Sequence, residues 1–331
     1  MSENLPFGEA TSGATGIASP SAASVLHRVL ADASRVFLLN DADLPDDHMT
    51  GPAPATGALW AVDLPDLKGR RVRRSSTEER VHQSRVALRR IRANLRTYRL
   101  AFDPAWGTEL RGQIAHYNAA LGAVRDLQLR RNIINAFDPD LVPKKDLVRL
   151  SDLLGVELLE AEAEAKAEAT KEHRVAITAS LEALWDGAPF RNKAKRPAAS
   201  LLPELLERAW RDTREAGRIA RKDATDLHLH RLRIRTKTFR YSCETVGLID
   251  GGPARKAARA AGLLQDRLGE VHDAQRAVLW LQQATEEHRG LAMTAHTLAL
   301  WQTEVAETRL KGWKKDLKEL ERRWRAITAA R

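Results

Sequence analysis

The sequence predicts an all-α protein built as two copies of a four-helix unit. Three observations carry that expectation. Ala, Leu, Arg and Glu dominate the 331 residues, and aromatics make up only 5%, a helix-forming composition. No stretch alternates apolar and polar residues for long enough to read as a strand. Two motifs also recur in the same order at nearly one offset, the mark of an internal duplication.

The elements follow from breakers and caps. Residues 1 to about 20 are rich in Ser, Gly, Ala and Thr and read as a disordered lead-in. A first helix is expected from Ser21 to about Leu39. Seven Pro and Gly residues then fall between Asn40 and Ser76, predicting a long loop whose basic end runs from Lys68 to Arg74. A second helix is expected from Thr77 to Phe102. It stops at Asp103-Pro104, which caps and restarts the chain. A third runs to about Ala136, and a fourth from Pro143 to about Trp185. Gly187 to Pro197 forms the second break. Four more helices are expected at 198–220, 224–248, 253–287 and 290–329. The first repeat therefore covers about 21–186 and the second about 197–331.

The duplication is visible residue by residue. Val81-His82-Gln83-Ser84-Arg85-Val86 aligns with Leu229-His230-Arg231-Leu232-Arg233-Ile234, and Arg89 and Arg92 align with Lys237 and Arg240, at an offset of 148. Leu121-Gly122-Ala123-Val124-Arg125-Asp126 aligns with Leu268-Gly269-Glu270-Val271-His272-Asp273 at 147. A period this long suits a duplicated bundle.

The charge points to an anionic partner. The formal net charge is +10, and it is unevenly spread. Residues 68 to 99 hold twelve Lys and Arg against two Glu. On a helix, His82, Arg85, Arg89, Arg92 and Arg96 share one stripe, beside an apolar stripe of Val81, Leu88, Ile91, Leu95 and Tyr98. The cationic stripe spans roughly 21 Å at the helical rise. The second copy repeats it with His230, Arg233, Lys237 and Arg240, beside Leu229, Leu232 and Phe239. Like charges four apart repel, so two such rails call for a polyanion or for carboxylates brought in by packing. Arginine forks suit phosphate oxygens. A single charge run is usually a solvated face; two matched rails, each led by a histidine, favour a functional surface.

The second motif supplies an opposite wall. Arg111, Asn118, Gly122 and Arg125 lie on one face in the first copy; Gln265, Gly269, His272 and Arg276 do so in the second. Each glycine costs a helix about 1 kcal/mol relative to alanine. That cost points to close approach, with helix packing ahead of a bound phosphate. Asp126 and Asp273 are expected either to orient arginines or to form ordinary salt bridges.

Several chemistries are unsupported. The single cysteine, Cys243, allows neither a disulfide within the chain nor a multi-cysteine zinc site. His228 and His230 fall on different helix faces, and no acidic cluster accompanies them, so no metal is expected. Glu162-Ala163-Glu164-Ala165-Lys166 matches a triphosphate-enzyme pattern that needs a strand, but its surroundings are helical. No catalytic residue, cofactor, secretory signal or membrane span is read, and the expected compartment is the cytoplasm.

Together, VHQSRVALRRIR at 81–92, LGAVRD at 121–126, LHRLRIRTKTFRY at 229–241 and LGEVHD at 268–273 resemble the CHAD family of histidine-bearing α-helical domains. The resemblance covers about 21–331. It implies two pseudo-twofold-related four-helix bundles with long antiparallel helices and a basic central channel. It also implies inorganic polyphosphate as partner, at polyphosphate granules. The matching positions are His82, Arg85, Arg89, Arg92, Arg125, His230, Arg233, Lys237, Arg240 and His272. The basic faces add Arg96 and Arg111 to the expected site. Two departures stand out: Glu244 replaces the counterpart of Arg96, and Arg125 stands where the second copy has His272. The competing expectations are a nucleic-acid binder, with nucleic acid a weaker competitor for the same arginines, and behind it a phosphohydrolase.

Overall fold

The computed structural model describes residues 19–41, 77–170, 172–250 and 252–329. The expected lead-in up to residue 18 and most of the expected 40–76 loop, with its Lys68–Arg74 end, lie outside the described residues. Everything described is helical or connecting. The only β features among the described residues are two isolated bridges, Ser21 with Pro197 and Phe102 with Phe190.

In the first half, α1 spans Ala22–Asp41, α2 Thr77–Thr97, α3 Pro104–Ala136, α4 Lys144–Thr170 and α5 Glu172–Glu182. In the second, α6 spans Ala198–Lys222, α7 Asp226–Asp250, α8 Pro253–Glu287, α9 Ala292–Leu310 and α10 Trp313–Ala329. The apolar stripes explain the packing. Val81, Leu88, Ile91 and Leu95 on α2, Tyr98 just past its end, and Leu229, Leu232 and Phe239 on α7 are all buried. The boundary before α3 is capped as expected: the Asp103 carboxylate accepts from Trp106 N at 2.9 Å, with Pro104 in the first turn.

Two expected boundaries change. The second helix ends at Thr97 and finishes in a 3₁₀ turn at Arg99–Ala101. The fourth ends where expected, in a 3₁₀ turn at Ala183–Trp185. The expected helix 290–329 breaks after Leu310, because Gly312 takes φ +95°, a left-handed conformation that glycine adopts without penalty. Arg267 fixes this break. Its Nη1 donates to the carbonyls of Arg309 at 2.9 Å and Lys311 at 2.7 Å, and its Nε to the Asp316 carboxylate. The orphan carbonyls ending α9 are thereby satisfied by a side chain.

The halves meet through α2 and α7, and the contacts there are reciprocal. Ser242 Oγ donates to Thr97 Oγ1 at 2.8 Å, and Thr245 Oγ1 donates to Asn94 Oδ1 at 2.7 Å. The 148-residue offset exchanges these two bonds, since Ser242 is the counterpart of Asn94 and Thr245 of Thr97. Residue i touching j′ while j touches i′ is the signature of a local twofold.

The apolar core is shared between the halves. One cluster draws Leu88, Ile91 and Tyr98 together with Leu232, Phe239 and Leu264. A second joins Leu127, Ile134 and Leu154 to Trp280, Leu281 and Leu298. The remote ends of the halves are also tied by polar bonds, from Trp280 Nε1 to Glu157 at 2.9 Å and from Thr294 Oγ1 to Asp146 at 2.9 Å. The cationic rails lie along the same helices, on the faces these clusters leave uncovered.

Candidate anion-binding site

The N-terminal halves of α2 and α7 bring most of the expected residues together. His82, Arg85 and Arg89 come from α2, and His230, Arg233 and Lys237 from α7. Arg125 and Asp126 come from α3, and His272, Asp273 and Arg276 from α8. Their mutual influence runs across the halves. Arg85 feels burial first, then Arg89, Asp126, Arg125 and Arg233, and its guanidinium is pushed down to about 10. Arg233 is likewise pulled below its ordinary value, by burial and then against the partial support of Asp273. These side chains are half-buried, desolvated on one side and open on the other.

The two motif glycines make room for this cluster. A Cβ at Gly122 would stand 3.5 Å from Arg85 Nη1, and one at Gly269 would stand 3.5 Å from Arg233 Nε. Arg85 Nη1 also donates to the Leu121 carbonyl at 2.7 Å. The close approach expected at both glycines is thus made by a guanidinium of the neighbouring rail, laid flat on the helix.

The basic groups are held short of their charged forms. Lys237 is pushed down to about 6 by burial, with Arg89, Arg233 and Arg85 adding to it. His272 is pushed down to about 4 by burial, then by Arg233, His230 and Arg276. His82 and His230 are lowered for the same reasons, burial first and neighbouring cations after. The rings of His230 and His272 lie 4.5 Å apart at an interplanar angle of 41°.

Carboxylates offset only part of this charge. Asp126 pairs with Arg276 at 3.3 Å across the halves, the ordinary salt bridge among the two expectations. Asp273 is raised by burial, and Arg233 is the strongest charge opposing that rise. The Nε atoms of Arg85, Arg89 and Arg233 and the Nδ1 of His230 are buried with no hydrogen-bond partner among the described residues. An unmet buried donor costs about 1–3 kcal/mol, more when charged. Three arginine Nε donors from two helices, with the His230 ring beside them, thus concentrate unmet donor capacity in one cluster.

The structure divides the remaining expected residues. Arg240 donates to Glu244 at 3.2 Å, and Arg90 donates to the same carboxylate at 3.1 Å. Both guanidiniums lie 5.6 Å from the centre of the Tyr241 ring. Arg240 is therefore neutralised internally, and the second rail is shorter than the first. Arg92 is exposed on α2. Arg96 and Arg111 leave the main cluster and line a cavity of about 270 Å³ with Arg99, Arg208 and Asp212. Arg99 and Arg208 were not singled out from the sequence: one lies in the 3₁₀ turn and the other on α6, outside both motifs. Among the described residues, no group of three or more His, Cys, Asp or Glu is placed to hold a metal ion. No described helix is long and apolar enough to cross a membrane.

The CHAD domain family model matches residues 66–282, which contain both rails and both glycine motifs. This chain belongs to the CHAD family. The family is linked in general terms to polyphosphate binding. Two solved structures share the fold. One is described as PptA from Streptomyces chartreusis, with 19% identity, a TM-score of 0.67, and coverage of 91% of this chain and 100% of that one. The other is the CHAD domain from the plant Ricinus communis, with 19% identity, a TM-score of 0.64, and coverage of 96% of both chains. No curated protein matches the sequence. The structural likeness extends beyond the family match into α1 and the last helices, so the CHAD fold here includes both ends of the duplicated unit.

Proposed function

We propose that the protein binds inorganic polyphosphate between the two rails, as a non-enzymatic cytoplasmic protein that associates with polyphosphate granules. One observation carries this reading: Arg85 and Arg89 from one half and Arg233 from the other lie close enough for their charges to repel, and their buried Nε donors have no partner among the described residues. A chain of phosphates offers oxygen acceptors on every side and no bases, matching a cationic surface that reads charge alone.

Nucleic acid is the second reading, since its backbone would satisfy the same arginines. Single-strand binders usually add aromatic faces for stacking. Here the aromatics nearest the rails are committed elsewhere. Tyr98 is buried and donates to the Ser242 carbonyl at 2.8 Å, Phe239 is buried, and Tyr241 sits against Arg90 and Arg240. A hydrolase would need convergent carboxylates or an activated nucleophile. The site offers Asp126, already salt-bridged, and Asp273, which lies beside Arg233.

A competition titration at fixed salt tests the proposal. Long polyphosphate is expected to displace single-stranded RNA or DNA, and the reverse displacement would favour the nucleic-acid reading. Arg89→Ala with Lys237→Ala should weaken polyphosphate binding about a hundredfold, as expected for two lost charge-assisted contacts, with the helical circular dichroism unchanged. Unaltered affinity in that variant would remove the rails from the site.

A further inference from the structure

The arginine cavity at the end of α2 differs from the rails in being built only once. At the duplication offsets, the counterparts of Arg96, Arg99 and Arg111 are Glu244, Gly247 and Ala258, none of them cationic. At the matching end of α7, Glu244 is occupied by Arg90 and Arg240. The duplicated rails therefore do not account for this cavity.

Its lining selects a compact anion. Four guanidiniums face one carboxylate, Asp212, which already pairs with Arg235 at 3.1 Å. Arg111 is held in place by bonds to the Gly107 carbonyl at 3.1 Å and Thr108 Oγ1 at 3.3 Å. Arg96, Arg99 and Arg208 have no ion pair among the described residues. The remaining lining is Thr97, Thr238 and Ala209, with no aromatic ring. The volume of about 270 Å³ falls below the range of pockets that take drug-sized molecules. Burial and mutual repulsion lower Arg96 and Arg99, which places the cations within reach of one another.

We propose that this cavity is a separate site for a terminal, dianionic phosphoryl group held by Arg96, Arg99, Arg111 and Arg208. A terminal phosphoryl carries more charge than an internal one, and four arginines match it with bidentate forks. Two sources share that chemistry: the end of a polyphosphate chain lying on the rails, or free pyrophosphate. The inference deepens the polyphosphate reading for the first source and is independent of it for the second.

Calorimetric titration of the full chain with inorganic pyrophosphate tests it. The wild type should bind at one site. Arg99→Ala with Arg208→Ala should weaken binding at least about tenfold, and Arg208→Glu alone should do the same from an exposed position that leaves the core intact. The rail variant Arg89→Ala with Lys237→Ala should weaken pyrophosphate binding less than either cavity variant, since Arg89 stands two helical turns, roughly 10 Å, from Arg96 and is largely screened there. Absence of pyrophosphate binding, or binding lost only in the rail variant, overturns the proposal. Long polyphosphate with free or chemically blocked ends then identifies the source. Weaker binding of blocked chains by the wild type, but not by the cavity variant, assigns the site to chain ends; equal binding assigns it to free pyrophosphate. Long chains that fail to bind would sink the rail reading and leave pyrophosphate capture standing. Long chains that bind while pyrophosphate does not would do the reverse.

Discussion

Gly122 and Gly269 each lie against an arginine guanidinium of the neighbouring rail. At 3.5 Å, a single added Cβ makes ordinary contact with Arg85, so a methyl should be tolerated and a branched chain should not. Gly122→Ala is expected to keep polyphosphate affinity within about twofold and to raise stability by up to about 1 kcal/mol through helix propensity. Gly122→Leu should displace the Arg85 guanidinium and weaken binding about tenfold, the loss of one charge-assisted contact; thermal melts and titrations read both. The proton sites give a second prediction. Lys237 near 6 and His272 near 4 are short of protons at neutral pH because burial and neighbouring arginines disfavour their charged forms. A bound polyanion reverses that field, so binding takes up protons. Affinity should therefore be higher at pH 6 than at pH 8, with proton uptake measurable by calorimetry in buffers of different ionisation enthalpy. A flat profile would exclude these groups from the site. His82 and His230, the rails and the glycines were legible in sequence because each recurs at an offset of 148 or 147, whereas His272 has Arg125 as its counterpart. Arg240 and Glu244 carry an i,i+4 signal on α7, but the share of that carboxylate taken by Arg90 was not legible, since it exists only once α2 packs on α7.

Among the elements, the α9–α10 break illustrates what periodicity misses. Arg309, Leu310 and Lys311 continue a plausible helix, and Gly312 reads as one weak residue within it. The stop depends on Arg267, more than forty positions earlier, reaching the last carbonyls of α9. Arg267→Ala should cost about 2 kcal/mol, several charge-assisted bonds being lost at a partly exposed site, and Arg267→Lys should recover little because a point charge lacks the fork. Denaturant melts measure this, and polyphosphate affinity should not change. The other helices were readable from their breakers: Asp103-Pro104, Pro143 and Pro253 each stand at a start, and the apolar stripes of α2 and α7 face the core as spaced. The residues of the arginine cavity were partly hidden for the same reason as the break, since α6 meets the end of α2 only in the folded chain.

For the molecule as a whole, the crowded cations make ligand-free stability depend on pH. Between about pH 6 and its ordinary value of 10.5, Lys237 carries a proton in the unfolded chain that it lacks when folded. Unfolding then takes up protons, and stability rises with pH. His272 acts in the same direction between about 4 and 6.5. The ligand-free protein should melt at a lower temperature at pH 6 than at pH 8, Lys237→Met should flatten most of that difference, and saturating polyphosphate should diminish or reverse it. A melting temperature that rises on acidification over this range would contradict the buried, cation-flanked setting of Lys237.

The shared apolar clusters reach further than stability. Ile91 and Tyr98 pack in one cluster with Leu232 and Phe239, and Ile134 and Leu154 in another with Trp280 and Leu298. Neither half closes a core alone, so a polypeptide carrying one repeat would leave that surface bare to water. It would become a stable particle only by pairing with a second copy of itself, through an α2-to-α2 seam in the place now held by α2 and α7. A single chain places no such demand for identity on its two copies, and they differ at Glu244, the counterpart of Arg96.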